Sequence, residues 1–278
     1  MPKKASPKPV PSYNEFIKQI RALCHRHPIH RVFRDFAEMS ALALADSVDL
    51  SPMREKREAR YMEIIKAYSP EELRGFSQLL DLLVDLLEAE ARPADVLGVL
   101  FHELELHNKW KGQFFTPQSL SDMMALILTS DGHAESIERQ GFVRVLEPTC
   151  GSGTMLLSQA YALREKGLNP QTQMHATAID IDSLCVNMTF IQLSLWHIPA
   201  IVRHGNSLTD EVWDTWFTPA HILGGWTYRL LRDPTPGPLW AEVSKADRLA
   251  VLRREDLSPR LAMADQRPAE LARVDLTT

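Results

Sequence analysis

Apolar residues in the first hundred positions recur at intervals of three and four, the period of a helix face and not of a strand. Ile17, Ile20 and Leu23 share one face of a first helix opened by Pro11-Ser12. Val32, Phe33, Phe36, Ala37, Met39 and Ala41 mark a second, from about His30 to Ala45. A charge-rich stretch, Met53 to Tyr68, carries Met62, Ile64 and Ile65 as its apolar stripe. Ser69-Pro70-Glu71-Glu72 then combines a cap, a proline at the first helical position and acids in the first turn. It opens a strongly amphipathic helix through Leu79, Leu80, Leu82, Leu83, Leu86 and Leu87, and Pro93 restarts the pattern over Ala94 to Leu106. Residues 12–108 therefore read as a helical domain of roughly five helices, interrupted only by Gly75 and Gly98.

The texture changes after Trp110. Lys111-Gly112-Gln113-Phe114-Phe115-Thr116-Pro117 reads as a loop, and Ser119 with Asp122 resembles a capping box introducing a helix over Met123 to Leu128. A short apolar run (Phe142, Val143, Val145, Leu146) precedes Glu147-Pro148-Thr149-Cys150-Gly151-Ser152-Gly153, and a helical pattern follows from Thr154 to Leu163. Met174 to Ile179 predicts a second strand ending in Asp180-Ile181-Asp182. Ser183 to Trp196 predicts a helix, and Ile198 to Arg203 a third strand ending at His204-Gly205-Asn206. This βαβαβ order is the first half of a doubly wound parallel sheet. Beyond Asn206 the pattern loosens around Trp213, Trp216, Trp226 and Trp240; no fourth strand is expected, and Leu239 to Leu252 suits an amphipathic helix. The domains expected are a disordered tail over 1–11, the helical domain over 12–108, the α/β domain over 109–225 and an irregular or helical extension over 226–278.

Composition narrows the class. With 45% hydrophobic and 24% charged residues, the 278-residue chain reads as soluble and globular. The apolar run Met123 to Leu128 is far too short to cross a bilayer, and no apolar core follows the basic N-terminus, so neither a membrane span nor a secretory signal is expected. Three scattered cysteines, Cys24, Cys150 and Cys185, fit a reduced, cytoplasmic chain. A net charge of −5 gives no global push towards nucleic acid.

The candidate chemistry sits at the glycine turn. Gly151 and Gly153 can adopt positive φ and let a ligand approach the backbone, and the first-turn N–H groups of the following helix would face that ligand. Leu156 breaks the dinucleotide fingerprint, and Glu147 would repel a pyrophosphate but not a cofactor with an ammonium group. Cys150 reads as a packing residue, since no partner base is placed by sequence. His102 and His107 are five apart and diverge around a helix, so they are not a zinc pair, and no metal site is expected. His25, His27 and His30 beside Arg21, Arg26 and Arg31 read as a solvated basic cluster, and the tryptophans after residue 210 as core or interface anchors.

Four stretches in this order carry a family resemblance: Gly112 to Pro117, Glu147 to Gly153, Ala178 to Asp182, and Gly205-Asn206-Ser207-Leu208. Over about residues 108 to 210 the chain resembles adenine-N6 DNA methyltransferases, most closely the modification subunits of type I restriction systems. The resemblance implies an α/β fold, with an N-terminal helical domain before a shortened Rossmann-like methyltransferase sheet that binds S-adenosylmethionine. It places Glu147 at the cofactor's ammonium, Gly151 and Gly153 at its close passage, Asp180 on the ribose hydroxyls and Ile181 against the adenine. Asn206 stands where the family has Asp and would accept from the adenine amino group; Phe115, Thr116 and Pro117 would cover the methionine end. It further implies methyl transfer to adenine in DNA, with DNA and a partner subunit or second copy as partners. The family's Asn/Asp-Pro-Pro-Tyr/Phe tetrapeptide occurs nowhere in the chain. Its nearest remnant is Thr218-Pro219-Ala220-His221, which makes Thr218, Pro219 and His221 the degenerate catalytic candidates. The alternative is an inactive cofactor- or DNA-binding module that partners or regulates an active enzyme, and a methyltransferase for small molecules or protein is a further rival.

Overall fold

The computed structural model describes residues 12–49, 51–106, 115–129 and 131–232. The N-terminal tail, the Gly112 to Phe114 half of the aromatic loop, the helix over Leu239 to Leu252 and Trp240 lie outside the described residues. Five helices come first: α1 (Tyr13–Ala22), α2 (Ile29–Asp46), α3 (Met53–Ile65), α4 (Pro70–Ala89) and α5 (Val96–Glu103). The expected start of α4 is a full capping box. Ser69 Oγ accepts from the Glu72 N–H, and the Glu72 carboxylate accepts from the Ser69 N–H.

The second half runs α6 (Gln118–Leu128), α7 (Asp131–Gln140), β1 (Val143–Glu147), α8 (Thr154–Glu165), α9 (Pro170–Gln173), β2 (Met174–Asp180), α10 (Ser183–Leu195), β3 (Ala200–Asn206), β4 (Glu211–Phe217), α11 (Pro219–Leu223) and α12 (Trp226–Arg232). Strand order is β1-β2-β3-β4, with β1, β2 and β3 parallel as the βαβαβ pattern required. The α/β class and the helical N-terminal part stand as read from the sequence.

Two expectations need correction. Residues 211–217 form a fourth strand, antiparallel to β3, with a register irregularity at His204/Gly205. Its sequence hid it: Asp214 interrupts the apolar alternation, and the strand is half-exposed along most of its length. A Cβ on Gly205 would lie 2.2 Å from the Glu211 carbonyl, so this crossing requires glycine. Ser119 is not a cap either: α6 starts after Pro117 without a side-chain cap bond. Asp122 is buried instead, accepting from Ser158 and Gln118 at 2.8 Å and pairing with Arg92.

The described residues up to Trp226 form one compact unit; of the second, only the helical stretch 227–232 is described. Within the first unit the core is continuous from the helices into the sheet layer. The reason lies in α10, where every residue from Leu184 to Ser194 is buried. Such a helix has no solvent face and must be covered on all sides, with its polar Thr189 and Gln192 hydrogen-bonded inside. It packs on β2 and β3 and, on its other flank, against α2.

Candidate functional site

Parallel strands present their carboxyl ends to one edge of the sheet, and the loops leaving β1 and β2 form a cleft there of about 730 Å³. The turn after β1 supplies Thr149, Cys150 and Gly151; the first turn of α8 supplies Thr154 and Met155; the end of β2 supplies Asp180, Ile181 and Asp182. Phe115 and Thr116 close one side, and His204, from β3, another. Arg34 reaches in from α2 and lies 3.7 Å from Asp182, its guanidinium donating to Ser183 Oγ at 3.3 Å.

The turn is held by its own hydrogen bonds. Gly151, at φ +55°, donates its N–H to Asp180 at 2.9 Å, and its carbonyl accepts from Thr189 Oγ1 at 2.9 Å. A Cβ there would sit 3.0 Å from the Phe115 ring. Gly153 is the left-handed residue before α8, at φ +97°, and a Cβ on it would lie 3.2 Å from Thr189. Its glycine is thus demanded by backbone and packing and not by the cleft. Ser152, fully buried, points away from the cleft towards Asp95.

Charge at this edge is unbalanced. Asp180 accepts from the N–H groups of Gly151 and Asp182, both at 2.9 Å, yet burial raises its pKa above the ordinary value, with the Asp182 charge adding to the effect. Glu147 accepts from the Thr149 N–H and hydroxyl, and burial first, then the Asp180 charge, raises it as well. Asp182 caps α10 by accepting from the Leu184 N–H. Burial pushes the Cys150 thiol far up, so it stays protonated, as a packing residue would.

Of the residues expected at a site, Phe115, Thr116, Gly151, Asp180 and Ile181 line the cleft together, Ile181 with 62% of its surface exposed. Pro117, Glu147, Gly153 and Asn206 are not part of its wall. Asn206 ends β3, and its side-chain oxygen accepts from the Leu208 N–H in a local turn. Arg34 and His204 were missed, since no local pattern announces a side chain that arrives from a distant element.

Thr218, Pro219 and His221 are not part of the cleft wall. Because β4 runs back along β3, Thr218 meets Ala200, at the amino end of β3 and the opposite edge of the sheet. Its hydroxyl donates to Ile198 O and accepts from the Ala200 N–H, both at 2.9 Å, and it is fully buried. His221 is 1% exposed and hydrogen-bonded to His175 at 2.9 Å, and burial lowers its pKa to about 3. Trp226 is buried beside Phe142 and His175, Trp216 packs on Phe190 and Arg57, and Trp213 is half-exposed against His204. Among the described residues no group of three or more His, Cys, Asp and Glu could hold a metal ion, and no helix is long and apolar enough to cross a membrane.

Comparison with known proteins adds one similarity to a family model. No curated protein matches the chain. One similar solved structure is a putative class I S-adenosylmethionine-dependent methyltransferase from Listeria monocytogenes, 16% identical, with a TM-score of 0.32 over 68% of this chain and 52% of that one. The chain thus spans about half the length of that protein, and a likeness so low adds nothing to the fold already seen. Residues 95–223 match the family model described as N-6 DNA methylase, a longer segment than the motifs over 108 to 210 marked out. That segment contains every residue of the cleft wall except Arg34.

Proposed function

We propose that the cleft binds S-adenosylmethionine and that the chain belongs to a system transferring methyl groups to the N6 amine of adenine in DNA. The observation that carries this reading is the cleft at the carboxyl edge of β1 and β2, inside the segment that matches N-6 DNA methylases.

The residues fit the group. Raised carboxylates at Asp180 and Glu147 are relieved by a cationic ligand, so an ammonium and a sulfonium suit this edge where a phosphate would not. Asp180 accepts from the backbone N–H groups of Gly151 and Asp182, one on each oxygen, and a carboxylate has acceptor capacity beyond these for a ribose hydroxyl. Gly151 leaves open the space against Phe115 that a side chain would fill. Ile181 offers an exposed apolar face for a purine. The cofactor, when bound, supplies an activated methyl and its own leaving group. The chain's part is to orient and desolvate, and proximity and orientation carry most of the acceleration.

A second reading, a cofactor-binding module that partners an active enzyme, is favoured by the position of Thr218 and His221. Both are buried at the far edge of the sheet and present nothing to an amine at the cleft. Incubating the chain with labelled S-adenosylmethionine and unmethylated DNA separates the two. Labelled N6-methyladenine supports the enzyme; cofactor binding without transfer supports the module; no binding removes both. Cytoplasmic location, a restriction-modification setting and assembly with a partner subunit or second copy belong to the same proposal.

A further inference from the structure

One buried carboxylate outside the cleft wall gathers the hydrogen bonds of three separate elements. Asp95, 6% exposed, caps α5 by accepting from the Gly98 N–H at 2.7 Å. The same oxygen accepts from Gln192 Nε2 of α10 at 2.9 Å. Its other oxygen accepts the hydroxyls of Ser152 and Thr154, which flank Gly153 in the glycine turn. All four partners are neutral donors. A buried charge is tolerated when each lone pair it turns inward is met, and charge-assisted bonds are the strong ones.

Two further observations show that the surroundings are fitted to this carboxylate. A Cβ on Gly98 would lie 2.1 Å from it, so the glycine inside α5 is what admits it. Glycine inside a helix is destabilising relative to alanine. Gln192 also donates to the Ser152 carbonyl at 2.8 Å and accepts from the Leu97 N–H at 3.0 Å, so the turn, α5 and α10 close into one network.

We propose that Asp95 is a positioning residue for the cleft, holding Ser152 and Thr154 so that Gly151 and the first-turn N–H groups of α8 face the ligand. This rests on the reading of the cleft as an S-adenosylmethionine site. Through Asp95 the helical part acts on the geometry of ligand binding. A structural cap alone would support α5 and leave affinity untouched.

The test titrates S-adenosylmethionine calorimetrically into the intact chain and its variants, and follows amide hydrogen exchange at residues 151–155 without ligand. Asp95→Ala is expected to weaken binding about tenfold or more. Asp95→Asn can keep Gly98 and Gln192 on its oxygen and donate to the two hydroxyls, and it should restore affinity to within about threefold of wild type. Gly98→Ala improves helix propensity yet displaces the carboxylate; it should still weaken binding several-fold and speed exchange in the turn. Folded Gly98→Ala protein with unchanged affinity and unchanged exchange overturns the proposal, whether or not Asp95→Ala folds. A wild-type chain that binds no S-adenosylmethionine defeats the proposed function instead, and the exchange of Gly98→Ala then decides alone whether Asp95 holds the turn.

Discussion

The two edges of one sheet put polar residues to opposite uses. At the carboxyl edge, Asp180 and Asp182 line an open cleft with Glu147 behind its wall, and burial raises Asp180 and Glu147 above their ordinary values. At the amino edge, Thr218 and the His175–His221 pair are sealed in the core with partners at hydrogen-bond distance. A polar cluster whose members satisfy one another holds structure. One that leaves like charges facing a cavity is waiting for a ligand that offsets them. The difference marks the carboxyl edge as the candidate site without reference to any motif.

The sharpest break in this comparison is Gly151→Val. A β-branched residue is strained at φ +55°, and its Cβ would press on Phe115. Calorimetry should detect no S-adenosylmethionine binding; normal affinity would mean that the ligand never approaches this backbone. Asp180→Ala comes next, with an expected loss of about 2–3 kcal/mol in binding from lost charge-assisted hydrogen bonds, read by the same titration.

At the amino edge the expectation inverts. Thr218→Ala leaves the Ala200 N–H and Ile198 carbonyl without their side-chain partner, so thermal unfolding should show a loss of about 1–3 kcal/mol. Cofactor affinity should not move. A variant that keeps its stability but loses ligand would reunite the two edges.

The edges also differ in the sign of their pH dependence. His221 is depressed from its ordinary value to about 3, so its contribution to stability is complete above about pH 6.5 and is lost as pH falls towards 3. Asp180 and Glu147 are raised, so their contribution is present below the ordinary carboxylate range and lost as pH rises through their folded values. A cationic ligand reverses the second effect by favouring the ionised forms. Binding should therefore release protons and tighten as pH rises, which titrations in buffers of different ionisation heat can read. The smallest effect is expected at Asn206→Ala, under about 0.5 kcal/mol in binding, since its oxygen already serves the Leu208 N–H.

What the sequence revealed was local. The cap at Ser69, the apolar stripe of α4 and the strand–glycine–helix unit are written in residues a few positions apart, and they stand in the structure. Asp180 and Gly151, named from the same local pattern, both line the cleft. The fourth strand was concealed because its pairing is set by a glycine crossing at 205 and not by alternation. Arg34 and Asp95 escaped for another reason: Ser183 for the first, and Ser152, Thr154 and Gln192 for the second, lie more than fifty residues away, and no periodicity encodes such a meeting. The edge at which Thr218 lies was not legible either, because a tetrapeptide remnant says nothing about the direction in which its strand runs.

The central claim is that the carboxyl edge is a site for an adenosyl sulfonium amino acid. A crystal structure of the chain grown with S-adenosylmethionine tests it most directly. The expected result is ligand density over Gly151, with both ribose hydroxyls on the Asp180 carboxylate and the purine on Ile181. Density elsewhere, or a cleft filled only by water at saturating ligand, would contradict it.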